Sequence, residues 1–146
     1  MATAKKLFSK EDQSIIVDAI REAELNTSGE IRVHIENSCK GEALDQAAYI
    51  FKKLNMTETE QRNGVLFYLA VGNKKFAILG DAGINEKAPE DFWDEIKNTV
   101  LDHFSNGELA LGLSSGIKMA GEQLKQHFPY QKDDVNELSD DISFGD

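Results

Sequence analysis

The chain has 146 residues, with 16 Lys and Arg against 26 Asp and Glu, for a formal net charge of −10; its sequence pI is near 4.7. That length suits one domain with its own hydrophobic core and leaves little room for a second. The acidic balance argues against nucleic acid or an anionic membrane as a main partner, because both attract a basic surface.

Taken in chain order, Ser9-Lys10-Glu11-Asp12 reads as a helix cap followed by acids that favour a first turn. Ile15, Ile16, Ala19, Ile20 and Ala23 recur at helical spacing, and Asn26-Thr27-Ser28-Gly29 ends the helix. From Glu30 the period drops to two. Ile31, Val33 and Ile35 point one way and Arg32, His34 and Glu36 the other, which predicts a strand. Helical spacing returns with Leu44, Ala47, Ala48, Phe51 and Leu54. Asn63-Gly64 leads into a continuous apolar run at 65–71, which reads as a central strand covered on both faces. Gly72-Asn73 predicts a turn into 75–79, the second half of a hairpin, and Gly80-Asp81-Ala82-Gly83 ends it.

Pro89 is placed early in a third helix that carries Phe92, Trp93, Ile96, Val100, Leu101 and Phe104. A fourth carries Leu109, Leu113, Ile117, Ala120 and Leu124, and its Gly112, Gly116 and Gly121 imply close approach to a neighbouring element. The order α-β-α-β-β-α-α has a strand-helix-strand crossover, so the first two strands should run parallel and the third antiparallel. The expected fold class is α/β, a three-layer α/β/α sandwich with a small mixed central sheet. The expected organisation is an N-terminal segment 1–8, a domain 9–129 and an acidic tail 130–146. Asp133, Asp134, Glu137, Asp140, Asp141 and Asp146 make the tail read as a solvated charge run. Its Val135, Leu138, Ile142 and Phe144 offer the alternative of a stretch pinned onto the domain, where its carboxylates would add cation affinity.

Strand direction has a chemical consequence. Two parallel strands begin at one sheet edge, with Glu30 at the first start and Asn63-Gly64 at the second. The reversed third strand ends there, at Gly80-Asp81. Glu30, Asn63 and Asp81 should therefore converge, with Thr27, Ser28 and loop carbonyls nearby. Such hard oxygen donors suit calcium, or magnesium with retained waters. The plainer alternative is local: Thr27 or Ser28 stabilises a turn, Asp81 makes an Asx-type turn, and Glu30 is an exposed strand end. No EF-hand spacing is present.

Thr27-Ser-Gly-Glu-Ile31, Asn63-Gly-Val-Leu66, Ile78-Leu-Gly-Asp-Ala-Gly-Ile84 and the late Gly112…Gly116-Ile117 together resemble the TPM domain family over about residues 10–127. The resemblance implies an α/β/α sandwich, a divalent-cation site with calcium the usual ion, and the acid-phosphatase activity of plant members. It maps family acidic positions onto Glu30 and Asp81, and onto Asp91. The expected function is a calcium-binding module, binding or regulatory in role. The alternative is a metal-dependent phosphomonoesterase at the same edge. There the ion would activate a water, Glu30 or Asp81 would act as ligand or base, and Arg62 would offer a fork to a phosphate-bearing ligand.

Other chemistries fare worse. Gly112-Leu-Ser-Ser-Gly116 fits the nucleophile-elbow expression but lies in a predicted helix, where packing glycines explain it better. Cys39, the single cysteine, can form neither an internal disulfide nor a cysteine-rich zinc site. His34 reads as a sheet-face residue and His127 as a helix-end residue favoured by the dipole. Trp93 and Phe92 fit a core. Residues 1–7 lack the apolar stretch of a signal peptide and no apolar run reaches about 18 residues, so the expectation is a cytoplasmic protein with no membrane span.

Overall fold

The computed structural model describes residues 8–59, 61–88, 91–130 and 141–145. Pro89 and the tail residues Asp133, Asp134, Val135, Glu137, Leu138, Asp140 and Asp146, on which expectations were placed, lie outside the described residues. The elements are α1 (Lys10–Glu24), β1 (Glu30–Glu36), α2 (Ala43–Lys53), β2 (Gly64–Ala70), β3 (Lys75–Gly80), α3 (Ala82–Lys87), α4 (Phe92–Ser105), α5 (Leu109–His127) and β4 (Ser143–Phe144).

The strands form one mixed sheet in the order β3-β2-β1-β4. β1 and β2 are parallel, with Glu30 opposite Gly64 and Val33 opposite Phe67. β2 and β3 are antiparallel, with Val65 opposite Gly80 and Phe67 opposite Ile78. This register puts Ile31, Val33, Ile35, Val65, Phe67, Leu69, Phe76 and Ile78 on one face, in a single core with α1, α4 and α5. The other face carries Leu66, Tyr68, Ala70 and Ala77 against Ala47, Ile50 and Phe51 of α2. The result is a three-layer α/β/α arrangement. Full burial of each large apolar side chain contributes about 1.5–3 kcal/mol, so the larger core on the α1/α4/α5 side dominates cohesion.

Local chemistry sets the helix ends. The Ser9 hydroxyl accepts from the Asp12 amide at 3.0 Å and the Asp12 carboxylate accepts from the Ser9 amide at 3.4 Å, so two amides of the first turn of α1 are satisfied. The glycines of α5 do what close packing requires. A Cβ on Gly116 would lie 2.5 Å from Val100 Cγ2, and one on Gly121 would lie 2.7 Å from Ala23 Cβ. Gly112-Leu-Ser-Ser-Gly116 is thus a helix-packing segment of α5 rather than a strand-to-helix elbow.

Two elements exceed the expected order. The stretch expected only to end the hairpin forms α3, because the Asp81 side chain accepts from the Ala82 amide at 2.8 Å and caps a helix. The tail returns as β4, parallel to β1, with His34 opposite Ser143 and Ile35 opposite Phe144. Ile142 and Phe144 pack on the larger core, and the Gly145 amide donates to the Ile35 carbonyl at 2.8 Å. Pinning by apolar residues, the alternative for the tail, holds here. No helix among the described residues is long and apolar enough to cross a membrane.

Candidate functional site

The three expected oxygen donors arrive at one end of the sheet. The Glu30 amide donates to the Asn63 carbonyl at 3.3 Å, and the Asp81 amide donates to the Gly64 carbonyl at 2.9 Å, so the three segments are joined through backbone. Glu30, Asn63 and Asp81 are 3%, 1% and 6% exposed. Glu30 is therefore not the exposed strand end of the plainer alternative. The Asn63 side-chain amide donates to the Ser28 hydroxyl at 3.4 Å, and Thr59 Oγ1 accepts from the Asn63 backbone amide at 3.2 Å. Thr27 has the turn-forming role expected of it: its hydroxyl accepts from the Gly29 amide at 3.0 Å and donates to the Phe128 carbonyl, tying the start of β1 to the end of α5.

Asp81 has a partner the sequence reading placed elsewhere. Arg62 Nε donates to Asp81 Oδ2 at 2.7 Å and Arg62 Nη2 donates to Oδ1 at 2.8 Å, a two-pronged fork. The Asp81 side chain is 5% exposed and that of Arg62 is 50% exposed, so the pair spans the boundary between interior and water. The bond to Asp81 raises the guanidinium's already high pKa further. Arg62 also has φ 52°, in the left-handed region. Its backbone is held there by a bond from its amide to the Thr59 carbonyl at 3.2 Å and one from the Gly83 amide to its own carbonyl at 2.9 Å.

The chemistry of this rim fits a hard divalent cation in donor type. It offers two carboxylates, an amide oxygen and the Ser28 hydroxyl, with backbone carbonyls close by. Among the described residues there is no group of three or more His, Cys, Asp or Glu side chains placed to hold a metal ion. An ion here would therefore draw on neutral oxygens and water as well as the two acids. Asp91, the remaining acidic position, lies at the start of α4. It occupies the exposed residue before α4 and lines a depression with Glu95 of α4 and Glu122 of α5.

At the opposite end of β1 lies a polar cluster that sequence reasoning missed. His34 and Glu36 are buried, and His34 Nε2 bonds Glu36 Oε1 at 2.9 Å. Glu36 Oε2 accepts from Gln46 Nε2 at 3.0 Å and from the Tyr68 hydroxyl. His34 Nδ1 meets the Ser143 hydroxyl of β4 at 2.8 Å, and the His34 and Tyr68 rings stack at 6.0 Å with 9° between planes. With Glu36 ionised, Nε2 carries the proton and Nδ1 accepts from Ser143. The available signal was the alternation Arg32-x-His34-x-Glu36 beside a β2 strand that is apolar on both faces. A strand adjoining such a neighbour has its polar face covered too.

Burial lowers the His34 pKa from 6.5 despite the pull of Glu36, and burial first, then Glu36, raises that of the Tyr68 phenol. The unfolded chain then takes a proton on His34 at a higher pH than the native protein. The stabilising contribution of neutral His34 is complete above about pH 6.5 and is lost as the pH falls from there through the lowered native value. Thermal melts across a pH series should show this acid-side decline, and His34→Gln should make it shallower. An identical slope in the variant would remove His34 as its source.

The family model described as the TPM domain matches residues 2–123. The chain is similar to the NMR structure of BA42 from the psychrophilic bacterium Bizionia argentinensis, at 45% identity and TM-score 0.92, covering 99% of this chain and 100% of that one. More distant likenesses show the fold alone. The N-terminal domain of a protein from P. gingivalis has 19% identity and TM-score 0.68, with 86% and 83% covered. The N-terminal domain of cg2496 from Corynebacterium glutamicum has 14% identity and TM-score 0.65, with 95% and 80% covered. No curated protein matches the chain. The segments at Thr27, Asn63 and Gly80 that carry the sequence resemblance are the ones that meet at the rim, within the matched residues, and the chain belongs to the TPM domain family.

Proposed function

We propose that this domain binds a divalent cation, calcium first, at the rim of Glu30, Asn63 and Asp81, and that it acts as a binding or regulatory module. The observation that supports this reading is the joining of three separate segments at one end of the sheet through backbone bonds, with Glu30, Asn63 and Asp81 each no more than 6% exposed. A divalent ion at the rim would add to the charge compensation that the Arg62 fork already gives the buried Asp81 carboxylate. Strand ends and turns provide oxygens in irregular positions, which calcium accepts more readily than magnesium with its strict octahedron.

Calcium titration followed by amide chemical shifts tests the reading. Saturable shifts are expected at 28–30, 62–64 and 80–82, and Asp81→Asn should weaken binding at least about tenfold, the loss of one charged ligand. Shifts confined to the acidic residues of 133–141 would overturn it. The Arg62 fork at the same rim favours a second reading, metal-dependent phosphomonoester hydrolysis, in which the ion supplies an activated water. Purified protein would then hydrolyse a chromogenic phosphate at a metal-dependent rate that falls in Asp81→Asn. A rate unchanged in that variant would sink the enzyme reading.

A further inference from the structure

We infer that Arg62 is a tethered counter-ion: it occupies the Asp81 carboxylate in the ion-free protein, must leave before a divalent cation binds there, and so sets the affinity and charge selectivity of the rim. The inference rests on the cation-binding reading above. Both Asp81 oxygens are engaged by the Arg62 fork, at 2.7 and 2.8 Å. A cation in contact with those oxygens would stand within a few ångströms of the guanidinium, where two positive centres repel. The two therefore compete for the carboxylate, whose Oδ1 already accepts from the Ala82 amide as well.

The structure gives Arg62 an exit that costs the fold little. Its backbone is pinned by the Thr59 and Gly83 bonds, while half of its side chain is already in water. Release is a side-chain rotation on a fixed backbone. Asp81 meanwhile stays oriented, because the Ala82 amide holds Oδ1 at 2.8 Å independently of Arg62. Charge selectivity follows from this exchange. A monovalent ion replacing the guanidinium leaves the net charge unchanged and loses two charge-assisted hydrogen bonds. A divalent ion adds one unit of charge to a rim with two acids.

Calcium titrations of the wild type, R62Q, R62K and Asp81→Asn at fixed ionic strength test this, read by calorimetry and by amide and Arg Nε–H shifts. R62Q should bind calcium about tenfold more tightly, within the range common for coupled sites, and potassium should compete more strongly with calcium there than in the wild type. R62K, which keeps the charge without the fork, should fall between them, and it guards against a folding defect in R62Q. In the wild type, the Arg62 Nε–H resonance should lose its hydrogen-bonded shift on saturation. If the wild type binds calcium through Asp81 but R62Q binds no more tightly, or Arg62 Nε–H does not move, the inference is overturned and the cation site stands. If no variant binds at the rim, both fall.

Discussion

Glu36→Ala should destabilise the protein by about 3–5 kcal/mol, the range for removing one member of a buried charged network. Its carboxylate accepts from His34, Gln46 and Tyr68 together, and the residue is 6% exposed. Truncation leaves three donors without their acceptor in a region closed by α2 and β4. For a chain of this size the loss corresponds to a fall of roughly 10 °C in Tm by thermal unfolding. Tyr68→Phe should cost far less, about 1 kcal/mol, because Glu36 keeps its donors from His34 and Gln46. The contrast between the two variants is the informative result. Equal effects would mean that packing of the Tyr68 ring, rather than satisfaction of the carboxylate, holds the cluster together.

Gly83→Ala is the second large effect expected, about 2–3 kcal/mol, at the upper end of the usual overpacking cost. A Cβ at this position would lie 2.2 Å from the Gln61 carbonyl oxygen and 2.7 Å from that of Arg62. These are backbone atoms and cannot rotate aside as a side chain would. The clash must move the 61–63 turn or α3. Movement of the turn would shift Arg62 relative to Asp81, so the variant should perturb the rim as well as stability. Thermal melts and amide shifts would read both. Shifts restricted to α3, with 61–64 unmoved, would show that the helix gives way and the turn does not.

The rim was legible in the sequence because it follows from strand direction alone. Period-two patterning at 30–36 and the apolar run at 65–71 identified the strands, and the short hairpin reversed the third. The meeting of Glu30, Asn63 and Asp81 is then a matter of topology. Arg62 was legible only as a neighbour of Asn63. Its fork onto Asp81 depends on a left-handed φ of 52° that no residue type at that position announces. The His34–Glu36–Tyr68 cluster was hidden for another reason. Local alternation marks a face as polar but does not say whether water or another layer lies over it.

The chain by itself determined the layers, the strand directions and the end of the sheet where oxygen donors gather, because hydrophobic period and turn chemistry are local properties. Tertiary structure alone decided which charges pair. Asp81 turns to Arg62 and caps α3, Glu36 draws in Gln46 and Tyr68, and Ser143 returns across more than a hundred residues to meet His34. Hydrogen bonds between side chains depend on distances of a few tenths of an ångström between elements distant in sequence, and only packing sets those.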